Sequence, residues 1–501
     1  MISFIYFILF IIFLYKWYFN ATSKARKRLP PSPAKLPVIG NLFQLGLRPH
    51  RSLKELSERY GPLMMLHLGS VPALIVSSAD AVREIVKNQD LIFSSRPKLS
   101  VMHRIVYGSK DIAFARYGDH WRQVRSIGVL QLLSNKRVQS YRHIREEETS
   151  LMIEKIRNSS SSSMSEVNLS NLLVSLTNGI ISRVVLGRKY DGGEESENFE
   201  LMLKEIGELL VTFNPGDYVP WLNWINRVSG FDARLEKVAK SFDEFLTRVV
   251  EEHRSRKQGN TDRDGSSDEV DFVDILLEIQ RENSSSYPIE TDTIKALIFD
   301  MFGAGTDTTY TALEWTMAEL LRHPKIMEKL QNEVRSVAGS KLEVTEEDLE
   351  KNKMPYLKAV IKESLRLHPP FPLLLPRELT QDTTLMGYEV AAGTRVMINA
   401  WAIGRDPILW ENPEEFHPER FLDSEIDFKG FNFEFIPFGV GRRGCPGITF
   451  AIGVDELALA KLMHKFNFAT QKDLDMTEAP GHSVHVKFPL LVNPIPHLAS
   501  N

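Results

Sequence analysis

FIPFGVGRRGCPG, running from Phe435 to Gly447, contains Cys445, the single cysteine of a 501-residue chain. One cysteine can form neither an internal disulfide nor a multi-thiolate zinc site, and this suits a reducing compartment. Three roles stay open for it: inert packing, a nucleophile, or one thiolate ligand to a metal. The next stretch, ITFAIGVDELALAKLMHK, has helical periodicity, so Cys445 is expected in a Gly-rich loop at a helix N-terminus. The helix dipole and free backbone N–H groups there favour an anion and are expected to lower the thiol pKa. Gly439, Gly441 and Gly444 let the backbone fold tightly around the sulfur. Phe438 can shield it from water, and Arg443 can reach an anionic group on the same side.

The same stretch holds Gly439-x-Gly441-x-x-Gly444, a formal match to a dinucleotide-binding fingerprint and the basis of a rival reading as a nicotinamide-dependent dehydrogenase. Three things weigh against it. The ribose-binding acid expected ~20 residues on falls near Met463-His464-Lys465, which is basic. Too little chain follows Gly444 for the remaining strands of a doubly wound sheet. No other strand–helix–strand pattern surrounds it. A cysteine hydrolase would need a histidine base with its own signature, and none of the 13 histidines carries one.

Working upstream, the chain from Thr291 to Arg322 has no proline, and His323-Pro324 ends it. Ile294, Leu297, Ile298, Met301, Phe302, Leu313 and Met317 recur at helical spacing, predicting one helix nearly 50 Å long at ~1.5 Å per residue. Its middle, Gly303-Ala304-Gly305-Thr306-Asp307-Thr308-Thr309, is poor in helix formers, so a local distortion is expected there. Close packing against something bulky and flat would have the same signature.

Most of the chain from Ser52 to about Ala338 reads as amphipathic helices. Short β-like pieces stand at Met64–Leu68, Ala73–Val76, Thr384–Val390 and Arg395–Ile398. The fold class is mainly α with a small β region. The serine run Ser159–Ser163 and the charged Gly/Ser-rich segment Arg254–Glu269 are expected as surface loops. Hydrophobic residues make up 43% and charged residues 25%, ordinary globular values. The net charge of −4 gives no electrostatic footprint for nucleic acid.

The N-terminus differs. Met1 to Phe19 is apolar except for Lys16, and ~20 such residues cross ~30 Å of hydrocarbon. Met1-Ile2-Ser3 lacks the positive start of a cleaved signal peptide, whereas Lys24, Arg26, Lys27, Arg28 and Lys35 follow the run. Residues 1–19 are therefore expected to be an uncleaved transmembrane signal anchor, with the remainder cytosolic. Residues 20–42 form a basic patch and a proline-rich hinge, read as a linker or semi-rigid strut. Residues 43–501 form the body.

Phe438, Gly441, Arg443, Cys445 and Gly447 spell F-x-x-G-x-R-x-C-x-G, which resembles the haem-binding loop of the cytochrome P-450 superfamily of haem-thiolate monooxygenases. Ala304 to Thr309 resembles that family's oxygen-activation motif. Glu363-Ser364-Leu365-Arg366 matches E-x-x-R, Pro418-Glu419-Arg420-Phe421 matches P-E-R-F, and Trp121-x-x-x-Arg125 matches W-x-x-x-R. The N-terminal anchor and hinge resemble the microsomal members. LSNKRVQS (Leu133–Ser140) and DMTEAPG (Asp475–Gly481) look like the plant A-type clan.

The resemblance implies a cytochrome P-450 fold with a long central helix over haem b, and Cys445 as the axial ligand of the haem iron. It implies that Trp121, Arg125, Arg377, Phe438, Arg443 and Gly447 bind the cofactor, and that Asp307 and Thr308 manage protons. For Thr308 the bland reading is a hydrogen bond back to the carbonyl of Ala304. Glu363, Arg366 and Arg420 would form a buried structural network. Substrate contacts would come from Asp300, Ala304, Phe371, Leu373, Leu374, Leu375 and Ser483, within a wider set that includes residues 100–115 and 482–484. The implied reaction is insertion of one oxygen atom into a small apolar plant metabolite, a terpenoid before a coumarin or other phenylpropanoid. Electrons would come from NADPH through NADPH–cytochrome P-450 reductase. The implied location is the endoplasmic reticulum membrane, in contact with lipid. A non-enzymatic haem-binding membrane protein is the second rival.

Overall fold

In the computed structural model, residues 28–497 are described except 161–165, 190–193, 260–269, 283–287, 351–352, 470, 472 and 482. The apolar run at residues 1–19 lies outside them.

Near the start, β1 (Leu63–Leu68) and β2 (Val71–Val76) form an antiparallel hairpin with Leu63 opposite Val76. Gly69 turns it at φ 63°, and a side chain there would meet the Tyr218 carbonyl oxygen at 2.5 Å. β3 (Arg377–Glu378) and β6 (Arg395–Ile398) extend the sheet in the order β1-β2-β6-β3, with β2 and β6 parallel. Between them the expected single piece Thr384–Val390 is a hairpin of β4 (Thr383–Leu385) and β5 (Tyr388–Val390). Met386 and Gly387, at φ 48° and 79°, make the two-residue left-handed turn that such a hairpin prefers.

The proline-rich segment after Leu29 runs along this sheet. Met65 N–H donates to the Pro31 carbonyl, and Asn41 exchanges bonds with His67. Its prolines lack N–H donors, so carbonyls and one asparagine do the pairing.

Helices make up most of the remainder, around a continuous apolar core. Leu169–Leu186 is long and apolar enough to cross a bilayer, but 61% of it is buried inside the protein, as in a core helix. Phe231–Gly259 extends through Arg254, part of the segment read as a loop. Arg254 binds Glu251 one turn back, and Gln280 and Thr291 across the fold, so tertiary partners override its composition. The remainder of that segment, 260–269, is outside the described residues, as are Ser161–Ser163 of the serine run. Ser159 closes a helix, bonding to the Lys155 carbonyl.

The central helix is two helices, α1 (Thr291–Gly305) and α2 (Asp307–Arg322), interrupted only at Thr306. The distortion falls inside the Gly/Thr stretch, where side-chain hydroxyls compete for backbone carbonyls: Thr308 donates to Ala304 at 2.6 Å and Thr311 to Asp307 at 2.6 Å. The helix α3 (Ile448–Lys465) starts just beyond Cys445, as its periodicity predicts.

Candidate functional site

Gly439 and Gly441 take φ of 69° and 71°, bending the Cys445 loop in a way that β-carbons would strain. The Cys445 N–H then donates to the Phe438 carbonyl at 2.9 Å, and the Gly447 N–H points at the Cys445 Sγ at 3.3 Å. Phe438 stacks edge-on against Phe428. Cys445 is accessible although protein surrounds it closely enough for desolvation to act on its thiol, so the surface it exposes is internal. Ala304, in the middle of the protein's central helix, is likewise exposed, between half-buried Gly303 and Gly305.

The electrostatics differ from the sequence expectation. Burial pushes the Cys445 thiol up, outweighing the Gly447 N–H and the Arg125 charge that pull it down. A helix N-terminus alone does not ionise a desolvated sulfur; a cation at the sulfur would.

Around the loop lies a cluster of cations from four parts of the chain. Arg125 donates to the Gly444 carbonyl at 2.7 Å. Arg377 donates to the Val440 carbonyl at 2.7 Å, while its Nη1 is buried without a hydrogen-bond partner among the described residues and stands 4.0 Å from Asp90. Arg443 donates to the carbonyls of Ser94, Ile112 and Ala115, and its guanidinium lies 4.2 Å from the Trp121 ring centre. Trp121 is buried and bonds the Ile112 carbonyl, so it stacks on Arg443 while its helix neighbour Arg125 turns to the loop. Arg96, which sequence reasoning missed, donates to Ala113, Leu375 and Pro376. Desolvation, and then repulsion from neighbouring arginines, Arg443 for Arg96 and Arg377 for Arg443, pushes both down from the usual arginine range. Their hydrogen-bond partners are carbonyl oxygens, and Asp111 is an acid that faces both, so the cluster carries more positive than negative charge. A dianionic ligand with a metal that takes a thiolate fits this donor set, and haem b, with its two propionates, is such a group.

Asp307 and Thr308 start α2. The Ser483 hydroxyl donates to Asp307 Oδ2, and Ser483 is buried, so that hydroxyl faces the aspartate. Asp300 accepts the Ile112 N–H at 2.6 Å. Leu374 and Leu373 pack on the two faces of the sheet; Leu374, at φ 51°, also approaches Gly439. Leu375 contributes its carbonyl to Arg96, and Phe371 is half-buried in the same turn. Residue 482 is outside the described residues. A cavity of about 810 Å³ opens on the kink, lined by Phe299, Phe302, Ile206, Leu210, Asp307 and His485 among others.

Away from the cavity, Glu363 and Arg366 pair in parallel at 2.7 and 2.8 Å, both fully buried. Arg366 also binds the carbonyls of Gly404, Pro413 and Glu415, and Arg420 meets Glu363 at 3.0 Å.

The sequence pattern described as Cytochrome P450 matches residues 30–492. (+)-Menthofuran synthase of Mentha piperita is 56% identical over 478 residues, covering 94% of this chain and 94% of that protein. Norfluorocurarine oxidase of a Strychnos species is 54% identical over 494 residues, covering 97% and 96%. A zebra fish cytochrome P450 solved with abiraterone superposes with a TM-score of 0.76 at 29% identity, over 90% of this chain and 100% of its own. With similarity running through the loop, the kinked helix and the sheet alike, the chain belongs to the cytochrome P450 family, as a plant haem b monooxygenase.

Proposed function

We propose that this P450 is a single-pass protein of the endoplasmic reticulum membrane, with residues 1–19 as anchor, 20–42 as hinge and 43–501 as a cytosolic body. It inserts one oxygen atom from O2 into a small apolar plant metabolite, a terpenoid before a coumarin or other phenylpropanoid. NADPH–cytochrome P-450 reductase is its electron donor. One observation carries the reading: an accessible internal thiol backed by arginines that hydrogen-bond mainly to carbonyl oxygens. Phe371, Leu373, Leu374 and Leu375, apolar and half-buried in the turn that approaches the cysteine loop, support an apolar substrate. Exposed Leu36, Val38, Phe43, Phe213, Trp221 and Trp224 support a lipid-facing surface on the body itself. Two hydrogen bonds join these segments, Gly69 N–H to Ile39 and Ser70 N–H to Tyr218.

Haem b, when bound, supplies the redox chemistry that activates O2. Cys445 holds the iron as thiolate, and the Gly447 N–H tempers the sulfur's donation. Arg377, whose Nη1 has no hydrogen-bond partner among the described residues, and the charges of Arg96, Arg125 and Arg443 would hold the propionates. Phe438 keeps water from the sulfur. Asp307, steadied by Ser483, takes up protons at the cavity. Thr308 Oγ1, which now donates to Ala304, can redirect its proton into the site.

The test uses the full chain in microsomes with the reductase, fed monoterpenes, sesquiterpenes and coumarins, with products read by mass spectrometry. Cys445→Ser abolishes the thiolate-type spectrum of the reduced carbon monoxide complex; an unchanged spectrum overturns the ligand assignment. Thr308→Ala keeps substrate binding but lowers product per NADPH and raises hydrogen peroxide. Normal product yield leaves Thr308 with only its bond to Ala304.

A further inference from the structure

Residues 111–115 are held from two sides by opposite charges. On the carbonyl side, Arg443 takes Ile112 and Ala115, Arg96 takes Ala113, and Trp121 also takes Ile112. On the amide side, Asp300 of α1 accepts the Ile112 N–H at 2.6 Å and Asp111 accepts the Phe114 N–H at 2.8 Å. The ribbon therefore bridges the cation cluster to the central helix. Asp300 stands one turn before Ala304, so the bridge reaches that helix beside its exposed alanine.

Asp300 holds the amide next to Asp111, which brings the two carboxyls together, and each acts on the other's titration. Asp111 is fully buried, and its Oδ1 has no donor among the described residues. Two carboxylates in contact repel, and neither can donate. One proton between them removes both problems and turns the repulsion into a hydrogen bond.

We propose that Asp111 and Asp300 form a carboxyl pair bridged by one proton, which pins residues 111–114 to the central helix and so fixes one wall of the substrate site. Both are positioning residues. The pin stands on contacts alone; its consequence for substrate rests on the function proposed above.

The charged surroundings set the sign of the pH dependence. Arg443 and Arg96 face Asp111 from the cysteine loop and the segment before residue 100, and Arg125 faces both arginines. Lys110 turns away to Glu290 and Asp292 at the start of α1. Burial raises both carboxyls, Asp111 to about 6 and Asp300 further. Because the folded values are raised, protonation favours the fold. That contribution is complete below the ordinary carboxyl range and declines as pH rises through the folded values. The pair acts as one titrating unit.

Hydrogen exchange and difference infrared spectroscopy on the full chain test this. Asp300→Ala exchanges the Ile112 and Phe114 amides about 10-fold faster or more, the scale of one lost buried charge-assisted bond. Asp300→Asn keeps the loop protected, because its amide donates to Asp111 and its oxygen still accepts from Ile112. In that variant the infrared band of a protonated carboxyl at this site disappears. The extra opening that wild type shows on the alkaline side disappears too. Asp300→Asn exchanging as fast as Asp300→Ala overturns the pin. An unchanged infrared band overturns the shared proton. With a substrate in hand, Asp300→Ala raises KM more than it lowers kcat, and Asp300→Asn restores KM. If no substrate is turned over, exchange and infrared still decide the pin, so its failure is separable from that of the proposed reaction.

Discussion

The cysteine loop and the Glu363 network are both buried and both built on arginine, yet they balance charge in opposite ways. Arg366 finds a carboxylate partner in parallel geometry plus three carbonyls, and Arg420 meets the same carboxylate. There the charges close on themselves. Around Cys445, Arg96, Arg125, Arg377 and Arg443 bind mainly carbonyls, and the Arg377 Nη1 has no hydrogen-bond partner among the described residues. Buried charge that is internally cancelled holds a fold together. Buried charge of one sign, satisfied in hydrogen bonds but not in charge, is stable only when something else brings the opposite sign. The first arrangement marks structure and the second marks a ligand site.

Breaking the closed network has the largest expected effect. Glu363→Ala leaves the buried Arg366 and the half-buried Arg420 without their shared carboxylate and costs ~3–5 kcal/mol. Thermal unfolding reads it as a similar loss with and without haem. A loss confined to the haem-bound form erases the contrast between the two regions.

The open cluster responds differently. Arg377→Met removes a cation with a spare donor. The haem-free protein stays as stable or gains slightly, while haem leaves about 10-fold faster, the scale of one charge-assisted hydrogen bond. Haem transfer to excess apomyoglobin measures the second quantity and unfolding of the haem-free protein the first. Destabilisation of the haem-free form matching that of Glu363→Ala makes Arg377 structural.

A third kind of buried charge sharpens the comparison with the smallest effect. Glu314 on α2 accepts from the Ser170 hydroxyl and the Val486 N–H and has no cation paired with it among the described residues; burial raises it to about 7. A raised carboxyl stabilises fully below its ordinary range, and that stabilisation is lost as pH rises to the folded value. Relative to Glu314→Gln, wild type should lose on the order of 1–3 kcal/mol between pH ~4.5 and ~7 and stay level above. Unfolding midpoints across that range check it, and parallel curves remove the raised carboxyl.

Motifs that depend on neighbours in the chain were legible from residues alone. The glycine-rich cysteine loop, the helix after it, the weak centre of the long helix and the β1–β2 strands all follow from local backbone preference and periodicity. The Glu363–Arg366 pair follows from spacing on one helix face. Local reasoning erred where partners are remote. Arg254 is helical because Gln280 and Thr291 hold it. The Cys445 thiol is pushed up because surrounding mass removes water, a quantity absent from any local window. Arg96 carries no local signature; its position beside Arg443 arises when the 94–115 segment folds onto the cysteine loop.

By itself, then, the sequence determined the mainly helical class, the thiol loop and its helix, and the kink where glycines and threonines weaken backbone hydrogen bonding, because each is set within a few residues. Tertiary structure alone decided that the cluster around Cys445 carries more positive than negative charge, that Ser483 faces Asp307, and that Asp111 meets Asp300, because charge and desolvation depend on distance in space and not on separation along the chain.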